Sequence, residues 1–127
     1  MVYSLIFFTL AAICNAVMDK LSFHFYDSVF SRDVRYWQWF NPEVSWRNKY
    51  IDKMPSKGLR KWLIFDVQFT DAWHTFKSLM IVFLALSIIT FDLYTFNVWW
   101  IKLIVFCVYG FVWNVVFNLF YNRLLKK

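Results

Sequence analysis

The stretch Asp71-Ala72-Trp73-His74-Thr75-Phe76-Lys77 decides how this chain folds. It runs directly into fourteen uncharged residues, 78–91. Fourteen are too few to cross a bilayer, because a spanning helix needs about 20 apolar residues. A span ending near Phe91 must therefore begin near Ala72. That draws His74 and Lys77 into or against the hydrocarbon, with Asp71 just outside. Ionisable groups at such depth are costly, and they have partners or a function.

The composition supports lipid as the solvent. The chain has 127 residues, of which 61% are hydrophobic and 24% aromatic. A soluble domain is about 45–50% apolar, and a chain this small could not bury the excess. Residues 1–18 carry no charge, and no Pro or Gly interrupts the helical pattern before Asn41-Pro42. The first basic side chain is Lys20, so the start lacks the basic region of a cleavable leader and reads as a retained helix. The clearest span is the last. Lys102 and Arg123 bracket twenty uncharged residues, 103–122. The expected fold is an all-α integral membrane protein, one membrane domain over 1–127. Its transmembrane helices are expected at about 2–24, 62–91 and 97–122, the second being one continuous helix whose first ten or so residues project beyond the hydrocarbon or run along the interface.

Between the first two spans lies the one polar stretch, 28–61, rich in Trp and Arg. Aromatic and basic residues interleaved beside a membrane predict a segment lying at the headgroups. Nucleic acid is not expected as a partner, since the bilayer accounts for the aromatic load. Asn41-Pro42-Glu43 combines an N-cap residue, Pro at the first helical position and an acid in the first turn. It predicts a short helix from Pro42 to about Asp52. Pro55-Ser56-Lys57-Gly58 predicts a turn.

Charge sets the expected orientation. Residues 19–61 hold nine basic and five acidic side chains, and Arg123, Lys126 and Lys127 add three more basic ones. Basic segments stay in the cytoplasm. The expected protein sits in the cell membrane with its N-terminus outside and its C-terminus cytoplasmic. Cys14 and Cys107 then lie near opposite membrane faces, which argues against a disulfide.

This topology gathers the polar residues of the three spans in the cytoplasmic leaflet. The first span brings Asn15 and Asp19, the second Asp71, His74 and Lys77. The third brings Asn114, Asn118 and Asn122, which follow Gly110 at intervals of four. The expectation is a polar pocket between the helices that binds a lipid or a small anionic, headgroup-bearing ligand. Catalysis there would use His74 as the acid–base group, oriented by Asp71 or Asp19. Asn15, Lys77, Asn114, Asn118, Asn122 and Arg123 would hold the ligand, and Lys77 is expected to turn inward to Asp19. No metal is expected. His24, His74, Asp19 and Asp71 are weak candidates only, because there are two histidines and no repeated ligand motif. The residues name no cofactor. An alternative is a homo-oligomeric channel or transport protein, or an accessory subunit of a larger membrane complex.

Overall fold

The computed structural model describes residues 1–32, 35–60, 66–91 and 98–127. These residues form helices and turns, with no strand beyond two isolated bridges. Three helices are long and apolar enough to cross a membrane. They are α1 (Val2–Phe23), α4 (Ala72–Ile89) and α5 (Trp99–Leu119), the last continuing as a π-type turn over Phe120–Leu124. Among the described residues between α1 and α4 are two single-turn helices, α2 (Trp37–Phe40) and α3 (Pro42–Ser45).

α1 is the central element. Its buried residues are mostly small: Ser4, Ala11, Ala12, Cys14 and Ala16. Small side chains let backbones approach closely, which drives helix association in lipid. α4 lies antiparallel on this face, with Ser4 against Ser87 at one end and Ala16 clustered with Ala72 toward the other. α5 packs on α1 through aromatic rings. Phe8 lies 5.0 Å from Tyr109 and 5.1 Å from Trp113 between centroids. Nothing on α5 is buried, and on α4 only Ala72 and Ser87 are. Both present apolar side chains outward, as lipid-facing helices do.

The end of the bundle beyond Ala16 is closed by aromatic packing. Leu21, Phe25, Ala72 and Leu125 are buried together, covered by Phe30, Trp37 and Phe40. The C-terminal tail is tied into this cap. Val29 N–H donates to Leu125 O (3.1 Å) and Lys127 N–H to Asp27 O (2.8 Å).

Of three local expectations, one changes. The first helix ends at Phe23, close to the expected 24. The short helix begins at Pro42 with Asn41 accepting from Glu43 N–H (2.9 Å), as its sequence predicts. It then stops at Ser45 and continues as 3-10 turns, broken by extended Tyr50 (φ −100°, ψ 154°) and followed by left-handed backbone at Asp52 and Lys53 (φ 51° and 60°). The expected turn is present: Pro55–Lys57 is a 3-10 turn followed by Gly58 at φ 82°.

The larger correction concerns the second span, expected over 62–91. Its described helix starts only at Ala72. Val67–Phe69 is a 3-10 turn, and Asp71 is extended (φ −155°, ψ 167°). Residues 61–65 lie outside the described residues, as does the connection 92–97. Hydrogen bonds explain the late start. Thr70 Oγ1 donates to Val67 O, Thr75 Oγ1 donates to Gln68 O, and Asp71 caps the first turn of α4. Eighteen helical residues rise about 27 Å, just short of the roughly 30 Å hydrocarbon core. The third span runs from Trp99 to Leu124, against the expected 97–122.

Candidate functional site at the basic end of the bundle

Ser4 to Lys20 and Ser87 to Asp71 are equal lengths of helix, about 24 Å of rise. The antiparallel pairing therefore sets Asp19 and Lys20 at the level of Asp71 and Ala72. The polar groups of the first two spans therefore share one depth, whereas Asn114 of the third, next to the Trp113 that packs on Phe8, lies nearer the Ser4 end. What they face is a separate matter.

Asp71 and His74 are brought together. One Asp71 carboxylate oxygen accepts from His74 N–H (2.9 Å), and the other lies 2.8 Å from His74 Nδ1. Asp71 is 4% exposed, whereas the His74 side chain is 38% exposed. The carboxylate thus caps α4 and fixes the imidazole at once. The cap makes a test. Asp71→Ala should lower stability in detergent by about 1–2 kcal/mol, whereas Asp71→Asn, which still caps, should cost only a few tenths. Equal losses in thermal melts of the two variants would show that the carboxylate's charge matters more than its cap.

Asp19 does not join the pair. It is half-buried and makes no hydrogen bond or ion pair among the described residues. Lys77 does not reach it. Its Nζ lies 4.8 Å from the ring centroid of Trp73, one turn back toward the basic end, and the side chain is exposed. This follows from helix geometry, since side chains lean toward the helix N-terminus. The ammonium is thereby carried along its own helix toward the basic end. Asn15 is half-buried and Arg123 exposed.

The asparagines of the third span point elsewhere. Asn114, Asn118 and Asn122 are all exposed. Each bonds one turn back along its own helix: Asn114 Nδ2 to Gly110 O (3.0 Å), Asn118 Nδ2 to Asn114 O (2.8 Å), and Asn122 Nδ2 to Asn118 Oδ1 (3.0 Å). Asn114 and Asn118 do not line an interior pocket.

The polar cavity at this end has other walls. It measures about 260 Å³ and is lined by Lys20, His24, Asp27, Tyr121, Asn122 and Lys126. Lys20 is 5% exposed, with its Nζ 4.9 Å from the Tyr121 ring centroid. Among the described residues it has no carboxylate within ion-pair distance. His24 meets the edge of the same Tyr121 ring at 5.8 Å. Asn122 is the one expected ligand residue that the cavity includes. Lys20 and His24 stand four residues apart, one turn, where α1 ends. Lys126 enters only because the tail folds back on residues 27–29.

At the opposite end the sequence reading expected almost wholly apolar helices. The structure has a buried polar knot there. Ser4 Oγ donates to Ser87 O (2.8 Å), Ser87 Oγ donates to Ser4 O (2.9 Å), and Tyr109 Oη donates to Ser4 Oγ (3.0 Å). Serines read as small spacers in hydropathy, so only their pairing reveals them.

Outside the spans, the Tyr26 hydroxyl donates to Glu43 (2.8 Å). That bond to a carboxylate holds the Tyr26 proton above the usual tyrosine range. Among the described residues, no three of His, Cys, Asp or Glu gather where they could hold a metal ion. No family model, curated protein or solved structure matches this chain.

Proposed function

We propose that this membrane protein binds the anionic headgroup of a lipid at the basic end of its bundle, in the cytoplasmic leaflet. One observation carries the reading: Lys20 is buried, has no carboxylate partner among the described residues, and borders a polar cavity. An ammonium withdrawn from water calls for an acceptor. A ring face supplies part of that attraction. A phosphate oxygen at Lys20 and Lys126, with Asn122 beside them, would supply the rest as charge-assisted hydrogen bonds. Asp27 on the same wall repels excess negative charge, which suits a singly charged diester. Outward apolar faces on α4 and α5 leave room for the acyl chains.

The test is lipid retention. Protein extracted in mild detergent from vesicles mixing phosphatidylglycerol and phosphatidylcholine should carry phosphatidylglycerol in native mass spectra. Equal retention of both lipids, or none of either, removes the reading. Displacement by millimolar inorganic phosphate would identify a free anion as the ligand instead.

A second reading rests on the Asp71–His74 pair. The carboxylate at Nδ1 fixes the tautomer and leaves Nε2 as the reactive nitrogen. The protein would then be a membrane-embedded enzyme acting on its lipid. His74→Gln should keep fold and lipid retention while abolishing any conversion of the retained lipid. Unaltered lipid after prolonged incubation with the unmodified protein would leave His74 as a partner of the Asp71 cap and nothing more.

A further inference from the structure

We infer that the chain pairs with a second copy of itself through the asparagine face of α5. At 100° per residue, Gly110, Asn114 and Asn118 drift by about 40° per step, and Cys107 falls within the same sector, while Asn122 at the end of the stripe belongs to the cavity. The half-buried residues of α5, among them Tyr109, Trp113 and Phe117, centre roughly 140° away. The stripe therefore points away from α1, out of the bundle.

Hydrocarbon cannot serve such a face. Each asparagine amide carries two donor hydrogens and an acceptor oxygen. The bonds to the preceding turn use one hydrogen each of Asn114 and Asn118, and Asn122 occupies the Asn118 oxygen; the second hydrogens and the Asn114 oxygen meet lipid, which offers no partner. Asparagines bonding across helices are a recognised means of association in membranes. Gly110 adds access, since a Cβ built there meets nothing within 4 Å.

The complement this face needs is the face itself. An amide both donates and accepts, so identical amides pair. Copies inserted in one membrane share their orientation, and a two-fold axis along the membrane normal sets each asparagine beside its own counterpart. Charge permits the contact. The chain carries a net +6, yet no charge falls between Lys102 and Arg123, so two copies meet there without like-charge repulsion.

Cys107 provides the probe, being free and exposed, whereas Cys14 is free and buried. Purified protein in phosphatidylcholine vesicles at low density should form a disulfide-linked dimer on mild oxidation, and Cys107→Ser should abolish it. In that background, Val108→Cys points about 100° away and should give no cross-link. Asn114→Leu combined with Asn118→Leu should reduce the Cys107 cross-linked fraction at least tenfold without altering the helical circular dichroism. Monomer at every density overturns the inference, as does equal cross-linking at 107 and 108. Cross-linking in native membranes to a different protein, with the purified chain monomeric, also overturns it.

Discussion

Lys20→Met should yield a folded, membrane-inserted protein that no longer retains anionic lipid. Met follows the path of the lysine stem, so the packing beneath the cavity is kept. What disappears is an ammonium that is 5% exposed and has a ring face but no carboxylate. Burial of a charge without an ionic partner is costly, so removing it should leave the empty protein as stable as before or more so. The lipid loses a charge-assisted bond, each contributing about 1.5–3 kcal/mol. Retention of phosphatidylglycerol should therefore fall roughly ten- to a hundredfold. Lys126→Met should fall less, because that side chain is exposed and screened. Lys57→Met is the control. Lys57 pairs with Asp52 at the far side of the interfacial segment (2.6 Å) and should not matter. If Lys20→Met keeps its lipid and Lys57→Met loses it, retention is general surface charge and the cavity has no part in it.

Ser4→Leu should be the most damaging single change at the other end of the bundle. Ser4 is fully buried and shares hydrogen bonds with both Ser87 and Tyr109, so one residue joins all three spans. Bonds between membrane helices contribute about 0.6 kcal/mol each on average, reaching about 1.7. Leu also adds volume where α1 and α4 touch, and such overpacking costs about 1–3 kcal/mol. The combined loss should be about 2–4 kcal/mol in reversible unfolding in mixed micelles. Ser4→Ala removes the bonds without the bulk and should lose about half as much. A Ser4→Leu protein that unfolds like the parent would mean that the helices do not cross at this point. Leu79→Ser tests the opposite sense on the exposed face of α4 and should change little.

Much of the local structure was legible. Asn41-Pro42-Glu43 started a helix, and Pro55-Ser56-Lys57-Gly58 made a turn, since capping and turn chemistry act within a few residues. The second span shows the limit. Asp71 was read as a charge beside a helix that had begun earlier, yet it is the residue that starts the helix. An aspartate can sit in a first turn or cap it. The choice depended on Thr70 and Thr75 drawing the preceding carbonyls out of helical pairing. Lys77 was read as turning inward by its angle on the helix wheel. The length and lean of its side chain instead carry the ammonium back over Trp73.

The amino-acid sequence by itself determined that there are three helices apolar enough to span, and it placed the polar residues of the first two at a common depth. Both properties follow from position along the chain, because hydropathy sums over neighbours and helix rise is constant. Only the tertiary structure decided which side of each helix faces its neighbours. In water, polarity marks the outside of a helix, but in lipid both sides of a span are apolar and that mark is lost. The small residues of α1 from Ser4 to Ala16 chose the close contact with α4. Aromatic rings at Phe8, Tyr109 and Trp113 chose the face of α5, and the asparagines were left pointing away. Lys20 and Lys126, 106 positions apart in the chain, share a cavity because the tail bonds to residues 27–29. No local pattern encodes that contact.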